Sequence, residues 1–200
     1  MNSEKLIIFL KAPRPGLVKT RLAASLGINA AASAYRTMVE TLLTGLRGVA
    51  PVELRFAPDD AREEIQPWLR EGWTARPQKD GDLGQRLLAA FSEAFAEGSR
   101  QVIIIGSDCP SVAPEDIRAA WGALADHDLV LGPAADGGYW LLGMQRLHEC
   151  LFQRIPWSTG SVLEETVRRA TEANLRLHFL RTLRDVDTEE DWRAFLSKPA

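Results

Sequence analysis

Four basic side chains follow an apolar run near the N-terminus, in the stretch KAPRPGLVKTRLA that comes directly after KLIIFL. Lys19 and Arg21 combine a compact ammonium with a planar guanidinium, a pair that suits a pyrophosphate, and both are predicted to be catalytic. Lys11, Arg14 and Gly16 are predicted to complete a nucleotide-binding loop, with backbone N–H groups at the next helix start assisting. The alternative interpretation is a solvated basic loop at the end of a strand.

Single carboxylates follow two other predicted strands. Asp108 lies in VIIIGSDCP, and Asp187 lies in RDVDTEEDW near the C-terminus. Because Mg²⁺ and Mn²⁺ take oxygen ligands and share them with substrate phosphates, Asp108 is predicted to be a catalytic metal ligand. Asp187 would be a second ligand if the last strand lies beside the strand before Asp108. The alternatives are a turn-capping role for Asp108 and a solvated acidic helix start for Asp185.

The stretch QKDGDLGQRL brings an amide and a guanidinium to the start of a predicted helix. Gln78 and Arg86 are predicted to hold the base or a phosphate of a nucleotide, and Gly84 is predicted to allow close backbone approach to it. Arg86 could equally be a structural ion-pair partner.

Two motifs, DGGYW and PWSTGSV, are assigned to the acceptor. The predicted acceptor-binding residues are Asp136, Tyr139, Trp140, Trp157, Ser158 and Thr159. Each motif also has a purely structural interpretation. Gly137 and Gly138 would supply positive φ angles for a hairpin turn, and Ser158 and Thr159 would cap the following helix.

Short apolar runs alternate with longer segments of helical periodicity, which predicts an α/β fold with parallel strands and crossover helices. Only a short turn separates DLVLGP from YWLLGM, so these two strands are predicted to be antiparallel and the sheet to be mixed, mostly parallel. No linker, repeat or low-complexity tract interrupts the chain, and residues 1–200 are predicted to form one domain. The basic loop and Asp108 should meet at one edge of the sheet.

The chain has 200 residues and a formal net charge of -3, which lacks the basic footprint of a nucleic-acid-binding protein. It has no N-terminal apolar segment long enough for a signal peptide or membrane span, so a cytoplasmic protein without a membrane partner is predicted. Cys109 is interpreted as a packed thiol, and His127, His148 and His178 are scattered singly and assigned no chemistry. A symmetric homodimer is a possible assembly on general grounds.

Six motifs in this order resemble the DUF2064 family of the glycosyltransferase-A (GT-A) superfamily, whose members are commonly labelled nucleotide-diphospho-sugar transferases: KAPRPGLVKTRLA, DGDLGQRL, GSDCP, GPAADGGYWLLGM, IPWSTGSV and DVDTEEDW. The resemblance spans almost the whole chain. It implies a Rossmann-like, three-layer α/β/α fold and a nucleotide held over the first-strand loop. It also implies a divalent cation at the carboxylates of Asp108 and Asp187.

The superfamily contains glycosyltransferases and nucleotidyltransferases. The first loop also resembles that of 2-phospholactate guanylyltransferases, and DVDT resembles the closing motif of sugar-acid cytidylyltransferases. SDCP offers one aspartate where the glycosyltransferases usually present Asp-x-Asp. The resemblance therefore implies a metal-dependent transferase that uses a nucleotide-sugar, or a nucleoside triphosphate with a small phosphorylated acceptor.

The expected mechanism is electrostatic: Mg²⁺, Lys19 and Arg21 would neutralise phosphates and stabilise a departing diphosphate without a covalent nucleophile. Lys19 is expected to be exposed, so that its removal would leave the fold intact. Two other functions stay open. One is a non-catalytic nucleotide-binding or regulatory module, and the other is an α/β domain whose polar loops have no ligand.

Overall fold

A mixed β-sheet forms the centre of the molecule in the computed structural model, which describes residues 3–49 and 51–197. The strands in this part of the chain are β1 (Glu4–Lys11), β2 (Val52–Ala57), β3 (Thr74–Pro77), β4 (Gln101–Gly106), β5 (Leu129–Pro133), β6 (Tyr139–Met144) and β7 (Leu177–Phe179). They lie in the order β3-β2-β1-β4-β6-β5-β7. Strand β6 pairs antiparallel with both β4 and β5, and the other pairs are parallel, so the prediction of a mixed, mostly parallel sheet is confirmed.

Helices cover both faces of the sheet. They are α1 (Thr20–Leu26), α2 (Ile28–Gly45), α3 (Arg62–Ile65), α4 (Leu83–Ala96), α5 (Pro114–Leu124), α6 (Val162–Glu172) and α7 (Glu189–Leu196), with short 3₁₀ turns at Gln66–Trp68 and Glu149–Phe152. Within the described residues, no helix combines the length and the apolar character that a membrane crossing requires.

The three layers follow from the side chains of the two central strands. Strands β1 and β4 are apolar on both faces, as expected for strands that are covered on each side. Leu6 and Ile103 pack on one face against residues of α2 and α5. Ile7 and Ile104 pack on the other face against residues of α4 and α6. This α/β/α sandwich confirms the predicted fold class.

Polar side chains define the starts of two helices near the sheet edge. Asp82 caps α4, where its side chain accepts a hydrogen bond from the backbone N–H of Gln85. Thr188 caps α7 in the same way with Asp191, as its sequence motif indicates. Both helix starts are therefore determined by short-range hydrogen bonds.

The last strand lies in a different place from the one expected. Strand β7 pairs with β5 at the edge of the sheet, because β6 occupies the position beside β4 after the short turn that joins it to β5. The segment after β7 nevertheless returns across the sheet edge. There the backbone N–H of Val186 donates to the carbonyl oxygen of Asp108 at 3.0 Å. Asp187 thus reaches the end of β4 without its strand lying next to β4.

A pair of glycine substitutions tests this packing. A Cβ at Gly132 would lie 2.4 Å from the indole of Trp140, whereas one at Gly122 in α5 would meet no atom within 4 Å. We expect Gly132→Ala to lower the free energy of unfolding by about 1–3 kcal/mol through overpacking. We expect Gly122→Ala to raise it by about 0.5–1 kcal/mol, because alanine is the better helix former. Urea denaturation measures both, and changes of the same sign would contradict the packing described.

Candidate functional site

A cleft of about 860 Å³ lies at the edge of the sheet where the parallel strands end. Its walls come from the loops after β1, β3, β4 and β7, from the β5–β6 turn and from the segment before α6. The charged side chains that line it are Lys11, Lys19, Arg21, Asp82, Arg86, Asp108, Asp136, Asp185 and Asp187. The expectation that the basic loop and Asp108 share one edge of the sheet is confirmed.

The ammonium of Lys19 joins two carboxylates at the centre of this cleft. Its Nζ atom lies 2.5 Å from Asp108 Oδ1 and 2.9 Å from Asp187 Oδ1. Although burial alone would lower it, the pKa of Lys19 is raised by the charges of Asp108 and Asp187. The side chain is only 3% exposed, so the expectation of an exposed Lys19 is wrong. Its burial accompanies its contacts with Asp108 and Asp187, which are distant in the chain. The backbone of Lys19 is left-handed immediately before α1, with φ of 47°.

Arg21 is the more accessible cation of the predicted pair. Its side chain is 76% exposed, and its guanidinium lies 3.6 Å from Asp187 Oδ2. Such a group can turn toward a ligand without breaking a buried contact. The exposed Lys11 also lines the cleft, at the end of β1.

Tyr35 and Ser107 also line the cleft, and the sequence interpretation did not include them as site residues. The hydroxyl of Tyr35 accepts a hydrogen bond from the backbone N–H of Lys11 at 2.8 Å and shares another, also 2.8 Å, with Ser107 Oγ. Burial raises the pKa of Tyr35. These bonds tie the ends of β1 and β4 to α2. The available sequence signal was a tyrosine on the otherwise apolar face of that helix.

Asp185 is partly buried in the cleft, and its interpretation as a solvated acid is wrong. Its Oδ1 atom accepts a hydrogen bond from the thiol of Cys109, with 2.7 Å between the two atoms. Burial raises the pKa of Asp185 to about 6, and the neighbouring charges of Asp108 and Asp136 act in the same direction. Burial likewise raises the pKa of the Cys109 thiol, which agrees with its interpretation as a packed, unreactive group.

The middle of the basic loop lies outside the cleft. Arg14 pairs with Glu64 at 2.6 Å and with Asp60 at 2.9 Å, and neither Arg14 nor Gly16 lines the cleft. Acidic side chains next to α3 thus attract the guanidinium that the sequence interpretation assigned to a nucleotide. Of the five loop residues predicted to bind a nucleotide, the structure brings Lys11, Lys19 and Arg21 together.

The QKDGDLGQRL motif forms the wall beside β3. The amide of Gln78 donates to the carbonyl oxygens of Leu10 and Arg55, at 3.2 and 2.9 Å. Arg86 lines the cleft and donates from Nε to the carbonyl oxygen of Gly81 at 2.9 Å. Gly84 does not line the cleft, and a Cβ added to it would lie 2.3 Å from the indole nitrogen of Trp157. The absence of a side chain at Gly84 therefore makes room for Trp157, whereas the sequence predicted close approach to a nucleotide.

The opposite wall contains all six residues assigned to the acceptor: Asp136, Tyr139, Trp140, Trp157, Ser158 and Thr159. Asp136 Oδ1 accepts a hydrogen bond from the backbone N–H of Gly138 at 2.9 Å. Gly137 has the positive φ expected for a turn, at 89°, whereas Gly138 is not among the positive-φ glycines of the described chain. The residue at the capping position of α6 is Ser161. The structural interpretation, in which Ser158 and Thr159 cap this helix, is therefore wrong.

The histidines lie outside the cleft. The ring centroids of His127 and His178 are 5.1 Å apart, so the description of scattered single histidines is wrong for this pair. His127 precedes β5 and His178 lies on β7, and the parallel pairing of these two strands brings the rings together. That pairing is a long-range contact that the spacing of the two residues does not reveal.

The central carboxylates have the donor chemistry that a hard divalent cation requires. The described residues contain no group of three or more histidine, cysteine or acidic side chains able to hold a metal ion. Asp108 and Asp187, however, both contact the Lys19 ammonium and are open to the cleft, with side chains that are 52% and 35% exposed. Mg²⁺ is commonly held by one or two carboxylates together with substrate phosphates and water. The pair therefore fits a cation that binds with a phosphorylated ligand.

The sequence profile of the DUF2064 family, described as an uncharacterized protein conserved in bacteria, matches residues 41–159. The chain belongs to this family. A solved structure from Desulfovibrio desulfuricans, provisionally described as a nucleotide-diphospho-sugar transferase, is 34% identical, with a TM-score of 0.92 over 98% of this chain and 87% of that one. The fold of the DUF2064 protein is thus that of the nucleotide-diphospho-sugar transferases. A solved cytidylyltransferase from Leptospira borgpetersenii shares this fold at 13% identity, with a TM-score of 0.58 over 98% of this chain and 85% of that one.

Two further similarities are more distant. A phosphoenolpyruvate guanylyltransferase from Sphaerobacter thermophilus is 24% identical over 127 residues, which are 64% of this chain and 61% of that protein. A Mycobacterium tuberculosis protein solved in complex with manganese has a TM-score of 0.58 and 16% identity, covering 99% of this chain and 100% of that one. Similarity at this level indicates a shared fold.

The pKa of Asp185 predicts a pH-dependent stability. The pKa of Asp185 is raised to about 6 in the folded chain, because burial favours the protonated carboxyl. The contribution of this carboxyl to the free energy of unfolding is therefore fully present below about pH 4 and is lost as the pH rises through 6. Asp185→Asn removes this loss. We therefore expect the unfolding free energy of the variant, relative to that of the unmodified chain, to increase by about 2 kcal/mol between about pH 4 and pH 7.

Urea denaturation across this pH range tests the prediction, and Asp128→Asn is the contrasting variant. The backbone N–H of Arg176 donates to Asp128 and lowers the pKa of that carboxyl, so this substitution should become more destabilising as the pH rises. A relative stability of Asp185→Asn that falls with pH, or one that is flat, would contradict the burial of Asp185.

Proposed function

We propose that this DUF2064 protein is a divalent-metal-dependent transferase whose donor is a nucleotide-sugar or a nucleoside triphosphate. The observation that carries the proposal is the position of the Lys19 ammonium between Asp108 and Asp187 in a cleft that Arg21 also lines. Cations and metal-binding carboxylates at one point are what a diphosphate needs. The names of the Desulfovibrio desulfuricans and Sphaerobacter thermophilus relatives support the same class of reaction.

In this proposal the β1 and β3 side of the cleft binds the nucleotide. Lys19 and Arg21 contact the phosphates, and Lys11 and Arg86 add positive charge along the same wall. The amide of Gln78 donates to two backbone carbonyls, so its role is to shape the wall of the cleft. Its side-chain oxygen accepts a hydrogen bond from Arg86 at 3.5 Å and so helps to position that guanidinium. The hydrogen bonds of Tyr35 keep the ends of β1 and β4 at a constant separation.

Asp108 and Asp187 would hold a divalent cation, which would supply positive charge to the phosphate oxygens of the donor. Lys19 would then bind the phosphates from the protein side, with its charge maintained by the same two carboxylates. The fit of these residues to a cation rests on their oxygen donors and on their exposure to the cleft.

Two balanced reactions are compatible with this arrangement. In nucleotidyl transfer, an acceptor oxygen bonds to the α-phosphorus, the bond to the bridging oxygen breaks, and pyrophosphate leaves with the electron pair. In glycosyl transfer, the acceptor oxygen bonds to the anomeric carbon, the bond from that carbon to the β-phosphate oxygen breaks, and the nucleoside diphosphate leaves with the electron pair. An acceptor hydroxyl releases its proton to water in either case. Lys19 and Arg21 stabilise the charge that develops on the departing phosphates.

Charge-removing variants in the basic loop test the nucleotide site. We expect Lys19→Met and Arg21→Met each to weaken the binding of a nucleoside diphosphate with Mg²⁺ by about tenfold to a hundredfold, because each removes a charge-assisted contact. Arg14→Met removes the same charge from the same loop, but its partners lie outside the cleft. We expect that variant to bind within about twofold of the unmodified chain.

Calorimetry with ADP, CDP, GDP and UDP measures these affinities. Because Lys19 is buried, its variant is also examined by urea denaturation, while the exposed Arg21 provides a loss of charge without a loss of packing. An equal effect at Arg14, or none at Arg21 and Lys19, would rule out the proposed phosphate site.

The products distinguish the transfer reactions from simple binding. Release of pyrophosphate from a nucleoside triphosphate indicates nucleotidyl transfer, and release of a nucleoside diphosphate from a nucleotide-sugar indicates glycosyl transfer. Nucleotide affinity without either product, over a panel of acceptors, would identify a non-catalytic nucleotide-binding module and contradict the proposal of an enzyme.

A further inference from the structure

Charge is unevenly distributed along the cleft. The cationic side chains in its lining come from the end of β1 and from the segments after β1 and β3, which also contribute the carboxylate of Asp82: they are Lys11, Lys19, Arg21 and Arg86. The opposite half, which we call the β5–β6 half, is formed by Ala134–Trp140, Trp157–Val162 and Asp185. Among the described residues of that half, no lysine, arginine or histidine lines the cleft. Its charged lining groups are the carboxylates of Asp136 and Asp185.

Two arginines next to this half, Arg181 and Arg184, lie outside the cleft. Arg181 binds Asp116 through Nε at 2.7 Å and donates to the carbonyl oxygen of Ser111. Arg184 lies 3.4 Å from Asp191 at the start of α7. Neither guanidinium lines the cleft, although Arg184 is adjacent to Asp185 in the chain.

The N-terminus of α6 does not replace the missing cations. Its first backbone N–H groups could in principle bind an anion. However, the N–H of Leu163 donates to the carbonyl oxygen of Gly137 at 2.9 Å, and that of Ser161 approaches Thr159 Oγ1 at 3.4 Å. The first turn also carries Glu164 and Glu165. An anion at this end of the cleft would thus meet two acidic side chains and two N–H groups that already have acceptors.

The groups that the β5–β6 half does offer suit hydroxyl groups. The carboxylates of Asp136 and Asp185 accept hydrogen bonds, and the hydroxyls of Ser158 and Thr159 donate or accept them. The partly buried indole of Trp157 adds an apolar face. This combination can bind a sugar ring or a polyol, whereas a second anionic group on the acceptor would be repelled.

We propose that the acceptor of this transferase is a hydroxyl-rich molecule, such as a sugar or polyol. Apart from the group that reacts, this acceptor carries no phosphate, carboxylate or other negative charge. The proposal rests on the proposed function, because it assumes that the other half of the cleft holds the nucleotide. It separates this chain from an enzyme that acts on phosphoenolpyruvate, the substrate in the name of its Sphaerobacter thermophilus relative. That molecule carries both a phosphate and a carboxylate, for which the β5–β6 half presents no cation.

Backbone amide shifts of the intact protein, measured by NMR, can test each half of the cleft separately. Gly138 and Gly160 report on the β5–β6 half, and Gly81 reports on the nucleotide half. The acceptor probes are glucose with glucose 6-phosphate, glycerol with glycerol 3-phosphate, and phosphoenolpyruvate. We expect an uncharged probe to shift Gly138 and Gly160 with a dissociation constant at least about tenfold below that of its phosphorylated partner.

The outcomes are separable. Equal or tighter binding of a phosphorylated probe at Gly138 and Gly160 would overturn the acceptor proposal, and so would the failure of every uncharged probe up to its solubility. A Gly81 amide that does not respond to any nucleoside diphosphate with Mg²⁺ would instead contradict the proposed nucleotide site. The acceptor result is obtained without nucleotide and does not depend on turnover.

A charge reversal provides the matched variant. Asp136→Lys places a cation in the β5–β6 half, and we expect it to tighten glucose 6-phosphate binding by about tenfold. Asp126→Lys makes the same change in net charge on an exposed residue outside the cleft and should leave the preference unaltered. Asp136→Asn keeps an oxygen for the Gly138 N–H and controls for the turn. Equal effects of the two lysine substitutions would show that glucose 6-phosphate responds to the net charge of the protein and would contradict the proposal that the β5–β6 half selects the acceptor.

Discussion

The candidate site depends on one interaction, the buried contact of the Lys19 ammonium with Asp108 and Asp187. A lysine with 3% side-chain exposure needs opposite charges nearby, because an unpaired buried ammonium is strongly unfavourable. These three side chains come from the loop after β1, the end of β4 and the segment before α7. The same contact therefore brings distant parts of the chain together and sets the charge at the centre of the cleft.

The surrounding polar contacts limit how that centre can move. Tyr35 joins the end of β1 to Ser107 after β4, and the thiol of Cys109 donates to Asp185. Each bond links backbone or side chains at the sheet edge, where α/β proteins bind their ligands. A nucleotide phosphate would consequently meet a preformed set of charges, which reduces the reorganisation needed on binding.

The charge distribution gives the two halves of the cleft different chemistry. Among the described residues, four cations and the carboxylate of Asp82 line the half next to β1 and β3, while carboxylates, hydroxyls and indoles without any cation line the half next to β5 and β6. In the proposed function this division separates a polyanionic donor from an uncharged acceptor. In the same proposal Lys19 and Arg21, with a divalent cation that Asp108 and Asp187 would hold, would stabilise the negative charge that develops during transfer.

The sequence by itself determined the alternation of strands and helices, the antiparallel β5–β6 pair and the cap at Thr188, because periodicity and short turns act over a few residues. It also identified the basic loop and Asp108 as neighbours, because the ends of parallel strands share one edge. Only the tertiary structure decided that Lys19 is buried, that Arg14 pairs with Glu64, and that Asp185 contacts Cys109. Those outcomes depend on burial and on charges far away in the chain, which no local pattern records.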